Sequence, residues 1–275
     1  SGNELYIVDY FSSPNTLAEI GRLRELTFRD AGGGTGKACD LDKFDIDGGS
    51  GCRQLVLWNP EEREIIGGYR FICGADAKII DGKPWLTSEH LFDYSPEFIE
   101  DFLPYTIELG RSFICPKYQS GASSTKSIYA LDNLWDGIGA LIVKFKAKYL
   151  FGKASIYSHF GDDAFAIIRH FLNVYFADSR NLVYAKKTIK TDVSEEIKSL
   201  FCGNNYKDDY VVLKRELKKL DRHIPPLVNS YMNVSSSMIA FDSTINEDFG
   251  NVYETGLLVT TADMYEEKVK RHMEF

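Results

Sequence analysis

The sequence predicts an α/β protein with a mixed central sheet covered by helices on both faces. Two observations carry this. Strand-like and helix-like segments alternate along the chain, and the best helix, with an apolar stripe at Ile128, Leu131, Trp135, Ile138, Ile142, Phe145 and Tyr149, lies between two strong strand candidates. The 275 residues carry 44% hydrophobic and 26% charged side chains, enough to bury a core without staples.

In order, residues 17–29 place Leu17, Ile20, Leu23, Leu26 and Thr27 on one face of a first helix, which runs into the break Ala31–Gly36. Arg53–Trp58 and Glu64–Cys73 read as strands joined by Asn59-Pro60-Glu61-Glu62, a hairpin signal. Tyr105–Cys115 is a third strand, stopped by Pro116. After the striped helix come a strand over Tyr149–Tyr157 and a helix over Asp163–Phe176. Residues 193–223 are charged and helical in character, and Ser237–Phe241 and Thr255–Thr260 read as strands. No linker divides the chain, so residues 1–275 are expected to form a single domain, with 193–275 a helical insert and C-terminal strands completing it.

Forty Asp and Glu against 32 Lys and Arg give a formal charge of -8, which argues against a nucleic-acid binder. No apolar run is long enough to span a membrane. No signal peptide is recognisable, although a Ser-Gly start without Met is what trimming of a longer N-terminus would leave. Five widely spaced cysteines without a C-x-x-C pair exclude a regular disulfide framework and make a zinc site improbable, so a reduced, cytoplasmic chain with no metal is expected.

Chemistry is sought first on Tyr105–Cys115. Ile107, Leu109 and Phe113 alternate onto the core face, Glu108 lies on the other, and Arg111 has core parity, where a lone cation is costly. Either a bulge near Gly110 re-aims Arg111 or a carboxylate meets it. Glu108 is either half of a structural ion pair or a base facing a cleft. In Asp40-Leu41-Asp42-Lys43-Phe44-Asp45 the calcium loop pattern is absent. Asp42 and Asp45 are instead expected to hold cations: Arg24, Arg70 and Arg111, or an amine substrate. The run Gly32–Gly36 follows no strand and is no nucleotide loop. His159 with Asp162 and Asp163 is read as structural.

Arg24 with Phe28, Asp42 with Asp45, Arg70 after a Gly-x-aromatic strand, and Glu108 with Arg111 together resemble the acyl-homoserine-lactone synthase signature. Glu108-Leu109-Gly110-Arg111-Ser112, Trp135-Asp136-Gly137-Ile138, Tyr149-Leu150-Phe151-Gly152, Ile224-Pro225-Pro226-Leu227 with Tyr231, Asp242 and Phe249-Gly250 are more similar to the ornithine- and glycine-lipid N-acyltransferases, called hemolysin-like. Both groups belong to the GNAT superfamily, and the resemblance covers residues 20–262. It implies a GNAT fold and transfer of a (3-hydroxy)fatty acyl group from acyl carrier protein to an amino-acid amine, in aminolipid synthesis. Glycine is favoured over ornithine or lysine, because Tyr149–Tyr157 and Phe171–Phe176 look like the glycine-lipid relatives.

On that resemblance Glu108 is the expected base. Arg111 and Arg70 hold the substrate carboxylate or order Asp42 and Asp45, and backbone N–H groups near Gly110 and Ser112 serve the oxyanion. Arg24, Phe28, Asp42, Asp45, Arg70 and Ser112 make the substrate pocket, and Gln119, Gly121 and Trp135 meet the acyl donor. No cofactor is expected beyond the phosphopantetheine thioester of acyl carrier protein. Gln119-Ser120-Gly121-Ala122-Ser123-Ser124 departs from the Q/R-x-x-G-x-G/A loop that cradles coenzyme A, so acyl-CoA is the second choice of donor. Lys144, Lys146 and Lys148, or Lys214, Arg215, Lys218, Lys219 and Arg222, would meet the acidic carrier. A lipid product implies peripheral contact with the inner membrane face. The rivals are an autoinducer synthase using S-adenosylmethionine and a non-catalytic acyl- or carrier-binding scaffold.

Overall fold

A computed structural model describes residues 2–47, 49, 51–119, 126–189 and 193–274, with backbone alone at 126–128. Strands β1 (Glu4–Val8), β2 (Arg53–Asn59), β3 (Glu64–Cys73), β4 (Thr106–Ile114), β5 (Tyr149–Ile156), β6 (Ile239–Asn246) and β7 (Val252–Thr260) form a seven-stranded sheet among the described residues. Its order is β1-β2-β3-β4-β5-β7-β6. All neighbours are antiparallel except β4 and β5, which are parallel from Thr106↔Tyr149 to Leu109↔Gly152 and pair no further. Both strands continue past that point, so the sheet forks there.

Helix α1 (Pro14–Asp30) starts on a proline, whose fixed φ suits the first turn. Its buried side includes Leu17, Ile20, Leu23, Thr27 and Phe28, and Leu26, expected inside, is 50% exposed. Arg24 takes the inward position because a carboxylate waits there. Helix α2 (Lys126–Phe145) packs across β2 and β3, where Gly137 lies so close that an added Cβ would meet Leu55 Cδ2 at 2.7 Å. Helix α3 (Asp162–Phe176) stacks Phe165 on Tyr253 of β7 at 4.0 Å between ring centroids. Helix α4 (Tyr206–Lys219) packs on α3, and α5 (Pro226–Met232) and α6 (Glu266–His272) follow.

The elements not legible in the sequence pattern include the edge strand β1 and a small sheet pairing Phe92–Tyr94 with Val183–Ala185. The C-terminal strands are longer than expected and join the main sheet as a hairpin beside β5. Among the described residues no helix is long and apolar enough to cross a membrane.

Candidate active site

Asp42 caps the one-turn helix Lys43–Ile46, its Oδ1 accepting from the Phe44 N–H at 2.8 Å, while Asp45 Oδ2 accepts from the Asp42 N–H at 3.1 Å. This fixes two carboxylates in front of β3. Arg70 Nη1 donates to Asp42 Oδ1 at 2.7 Å and to Asp45 Oδ2 at 3.0 Å. From α1, Arg24 donates to Asp45 Oδ1 at 3.0 Å and also to Gln54. Burial alone would raise the Asp45 carboxyl, but Arg70 and Arg24 outweigh it and hold the group well below the usual carboxylate range. Arg24, Asp45 and Arg70 are therefore occupied by one another. None of the three lines the cleft described below.

On β4 both expected devices for Arg111 operate at once. Gly68 pairs with Phe113 and Arg70 with Gly110, so one β3 residue faces two on β4, a bulge, and Arg111 has φ 49°. The re-aimed guanidinium places Nε 2.8 Å from Asp40 Oδ2 and Nη2 3.8 Å from Asp42 Oδ2, over the Phe249 ring at 4.7 Å. Among the described residues no hydrogen bond engages its terminal nitrogens.

The fork between β4 and β5 opens into a cleft of ≈ 720 Å³. Arg111, Ser112, Phe28 and Gln119 all line it, as does Leu131 of the α2 stripe, while Leu109, Ile156 and Leu227 make its walls apolar. Gln119 is turned back to the Ile114 carbonyl, 2.8 Å from Nε2.

The polar end holds residues that sequence reasoning missed. Lys153 lines the cleft and pairs with Glu254, whose other oxygen accepts from Ser155 at 2.8 Å. Burial, opposed by Glu254 and reinforced by Arg111, holds the Lys153 ammonium below its ordinary value. The signal available was two opposite charges in the middle of apolar strands, which the structure sets two positions apart across β5–β7, Lys153 opposite Gly256 and Glu254 opposite Ser155. Tyr69 also lines the cleft. So does Gly32 of the run after α1, and an added Cβ at neighbouring Gly33 would meet Tyr157 Cε1 at 2.8 Å. Glu25 holds this loop, accepting from the N–H groups of Thr35 and Gly36, each at 2.9 Å.

Two of the expected site residues, Glu108 and Trp135, do not line the cleft. Glu108 does not open onto the cleft. It is 2% exposed, and its carboxylate accepts from the N–H groups of Thr87 at 2.8 Å and Ser88 at 3.0 Å and from the Ser88 hydroxyl. It ties the Thr87–Ser88 turn to β4. Trp135 does not line the cleft: it is buried against Tyr231, with Nε1 donating to Ser230 Oγ at 2.9 Å. Gly121 and its neighbours Ser120–Ser124 lie outside the described residues. His159 sits on the rim, where Arg222 donates to its carbonyl oxygen at 2.8 Å.

Residues 23–127 match the acetyltransferase (GNAT) domain model, the class to which this fold and cleft conform. Over 277 aligned residues the chain is 45% identical to a glycine N(alpha)-acyltransferase of Phocaeicola vulgatus and 44% identical to one of Bacteroides thetaiotaomicron. All of this chain is covered in both cases, with 85% and 82% of the relatives. Among solved structures it aligns with an acyl-homoserine lactone synthase, MesI (TM-score 0.41, 9% identity, 98% of this chain and 93% of that one). It also aligns with an N-acyl amino acid synthase, FeeM, from uncultured soil microbes (TM-score 0.44, 10% identity, 95% and 92%). The chain belongs to the GNAT family of N-acyltransferases that these curated relatives represent.

Proposed function

We propose that the protein acylates the amine of glycine, taking a fatty acyl group from the thioester of acyl carrier protein and releasing the carrier's thiol. The observation that carries this reading is the cleft itself: an apolar channel at the β4–β5 fork that ends in Arg111 and the Lys153–Glu254 pair. A fatty thioester suits the walls, and a small zwitterion suits the end. Glycine is preferred to ornithine or lysine because the relatives at 45% and 44% identity carry glycine in their names.

In this mechanism the terminal nitrogens of Arg111 take the glycine carboxylate bidentately. A thioester is already activated, so the amine needs only to be neutral and close. Lys153, held below its ordinary value, takes the ammonium proton, with Glu254 stabilising the cation that forms. The freed amine then adds to the carbonyl carbon, the C–S bond breaks, and the second proton the nitrogen loses goes to the departing sulfur, releasing the thiol. The product, an N-acyl amino acid, is an aminolipid precursor, which accords with a site of action at the cytoplasmic face of a membrane.

The test is a panel of amino acids incubated with acyl carrier protein thioesters, with products read by mass spectrometry. Acyl-glycine is the expected product, and acylation of no amino acid would reject the reading. Because the amine and its proton acceptor must both be neutral, kcat/KM should fall as pH drops. Lys153→Met should move that limb toward the titration of the free glycine ammonium and lower kcat by about 10²–10⁴-fold. An unchanged pH profile in the variant would reject the proton-acceptor role.

A further inference from the structure

Tyr69 sits in the bulge between its pairing neighbours. Gly68 pairs with Phe113 and Arg70 with Gly110, so Tyr69 faces Arg111 and Ser112 together. Neither of those two has a register partner on β5, which leaves β4 after Leu109. The Tyr69 side chain is 2% exposed, lines the cleft, and its hydroxyl approaches Ser112 without making a hydrogen bond to any described residue. A buried donor without an acceptor is destabilising. A ligand atom that accepts from it recovers that cost.

We propose that Tyr69 is a catalytic residue whose phenol donates to the thioester carbonyl oxygen and, more strongly, to the oxyanion formed when the amine adds. The assignment rests on the acyl-transfer reading above. As the N–C bond forms, the carbonyl π pair moves to oxygen, and Tyr69 keeps its own proton throughout. When the pair returns, the C–S bond breaks, and the proton lost by the amine balances the one gained by the departing thiol. Burial pushes the phenol up from its ordinary value, so it remains a protonated donor through neutral pH. The placement is that of a fixed donor in a dry cleft, where it needs no reorganisation during the reaction. The unpaired backbone at Arg111 and Ser112 lies directly opposite.

The experiment uses an unreactive donor, an acyl-pantetheine ketone with the sulfur replaced by CH₂ and the carbonyl labelled with ¹³C, bound to the full chain. Its carbonyl infrared band should lie at lower wavenumber in the wild type than in Tyr69→Phe, which preserves the ring. In turnover the variant should lose about 10²–10³-fold in kcat, with KM for both substrates held within about twofold. Identical carbonyl bands overturn the proposal, including where kcat falls, because such a loss would come from packing. An unchanged kcat overturns it as well. If the wild type acylates no amine while the bands still differ, the acyl-transfer reading fails and the Tyr69 contact stands.

Discussion

At Asp45 the donors of Arg24, Gln54, Arg70 and the Asp42 backbone converge on one buried carboxylate. Such a charge is tolerable only while its partners remain, and breaking a pair of this kind costs about 3–5 kcal/mol. Asp45→Asn should lower stability by about that amount in urea unfolding. Its pH dependence has a definite sign. The folded carboxyl lies below its ordinary value of 3.8, so its stabilisation is complete above that point and is lost as pH falls. The wild type should therefore lose stability steeply below about pH 4, and the variant should show a flatter acid limb. An equal acid slope in both would remove Asp45 from this role. These pairings were partly legible, because two strand arginines and a helix arginine had no local counter-charge. Which of them remained available to a substrate was not. That depended on the φ of 49° at Arg111 and on the Thr87–Ser88 turn that claims Glu108, neither of which leaves a trace in residue spacing.

Among elements, the fork between β4 and β5 decides where chemistry can occur, and Gly152 sits at its last pair. An added Cβ there would meet the Leu109 carbonyl oxygen at 2.7 Å, an approach that backbone atoms cannot relieve without moving. Gly152→Ala should cost about 1–3 kcal/mol by overpacking and lower kcat by widening the cleft at its root, measured by urea unfolding and steady-state assay. Wild-type stability would mean the strands separate before this pair. The strands on either side were readable from apolar alternation and a stopping proline, as was α2 from its stripe. β1 was not, since Glu4–Val8 is an edge strand with no fully buried residue and therefore no core-facing alternation. The short pair Phe92–Tyr94 and Val183–Ala185 joins segments about 90 residues apart, and such pairing is set by tertiary contact rather than local pattern.

For the whole molecule, a net charge of -8 must be reconciled with the acidic carrier proposed above as donor. A repulsive average field is tolerable if the approach to the cleft is locally basic. Of the two clusters expected, the one on α4 reaches the rim: Arg222, just beyond the helix, donates to the carbonyl oxygens of His159 at 2.8 Å and Phe160 at 3.2 Å, and both residues line the cleft. Arg215 and Lys219 are engaged by Glu216, whereas exposed Lys214 lies over the Tyr210 ring and Lys218 is exposed on the same helix. If this face receives the carrier, Lys214→Glu with Lys218→Glu should raise KM for acyl carrier protein about tenfold. KM for acyl-pantetheine, which has no protein to dock, should not move. Raising ionic strength to about 0.5 M should bring wild type and variant together on the carrier-bound donor, because exposed charges are screened beyond a few ångströms. Equal KM values on that donor at low salt would assign carrier docking to another face, and a parallel rise on acyl-pantetheine would show damage to the cleft itself.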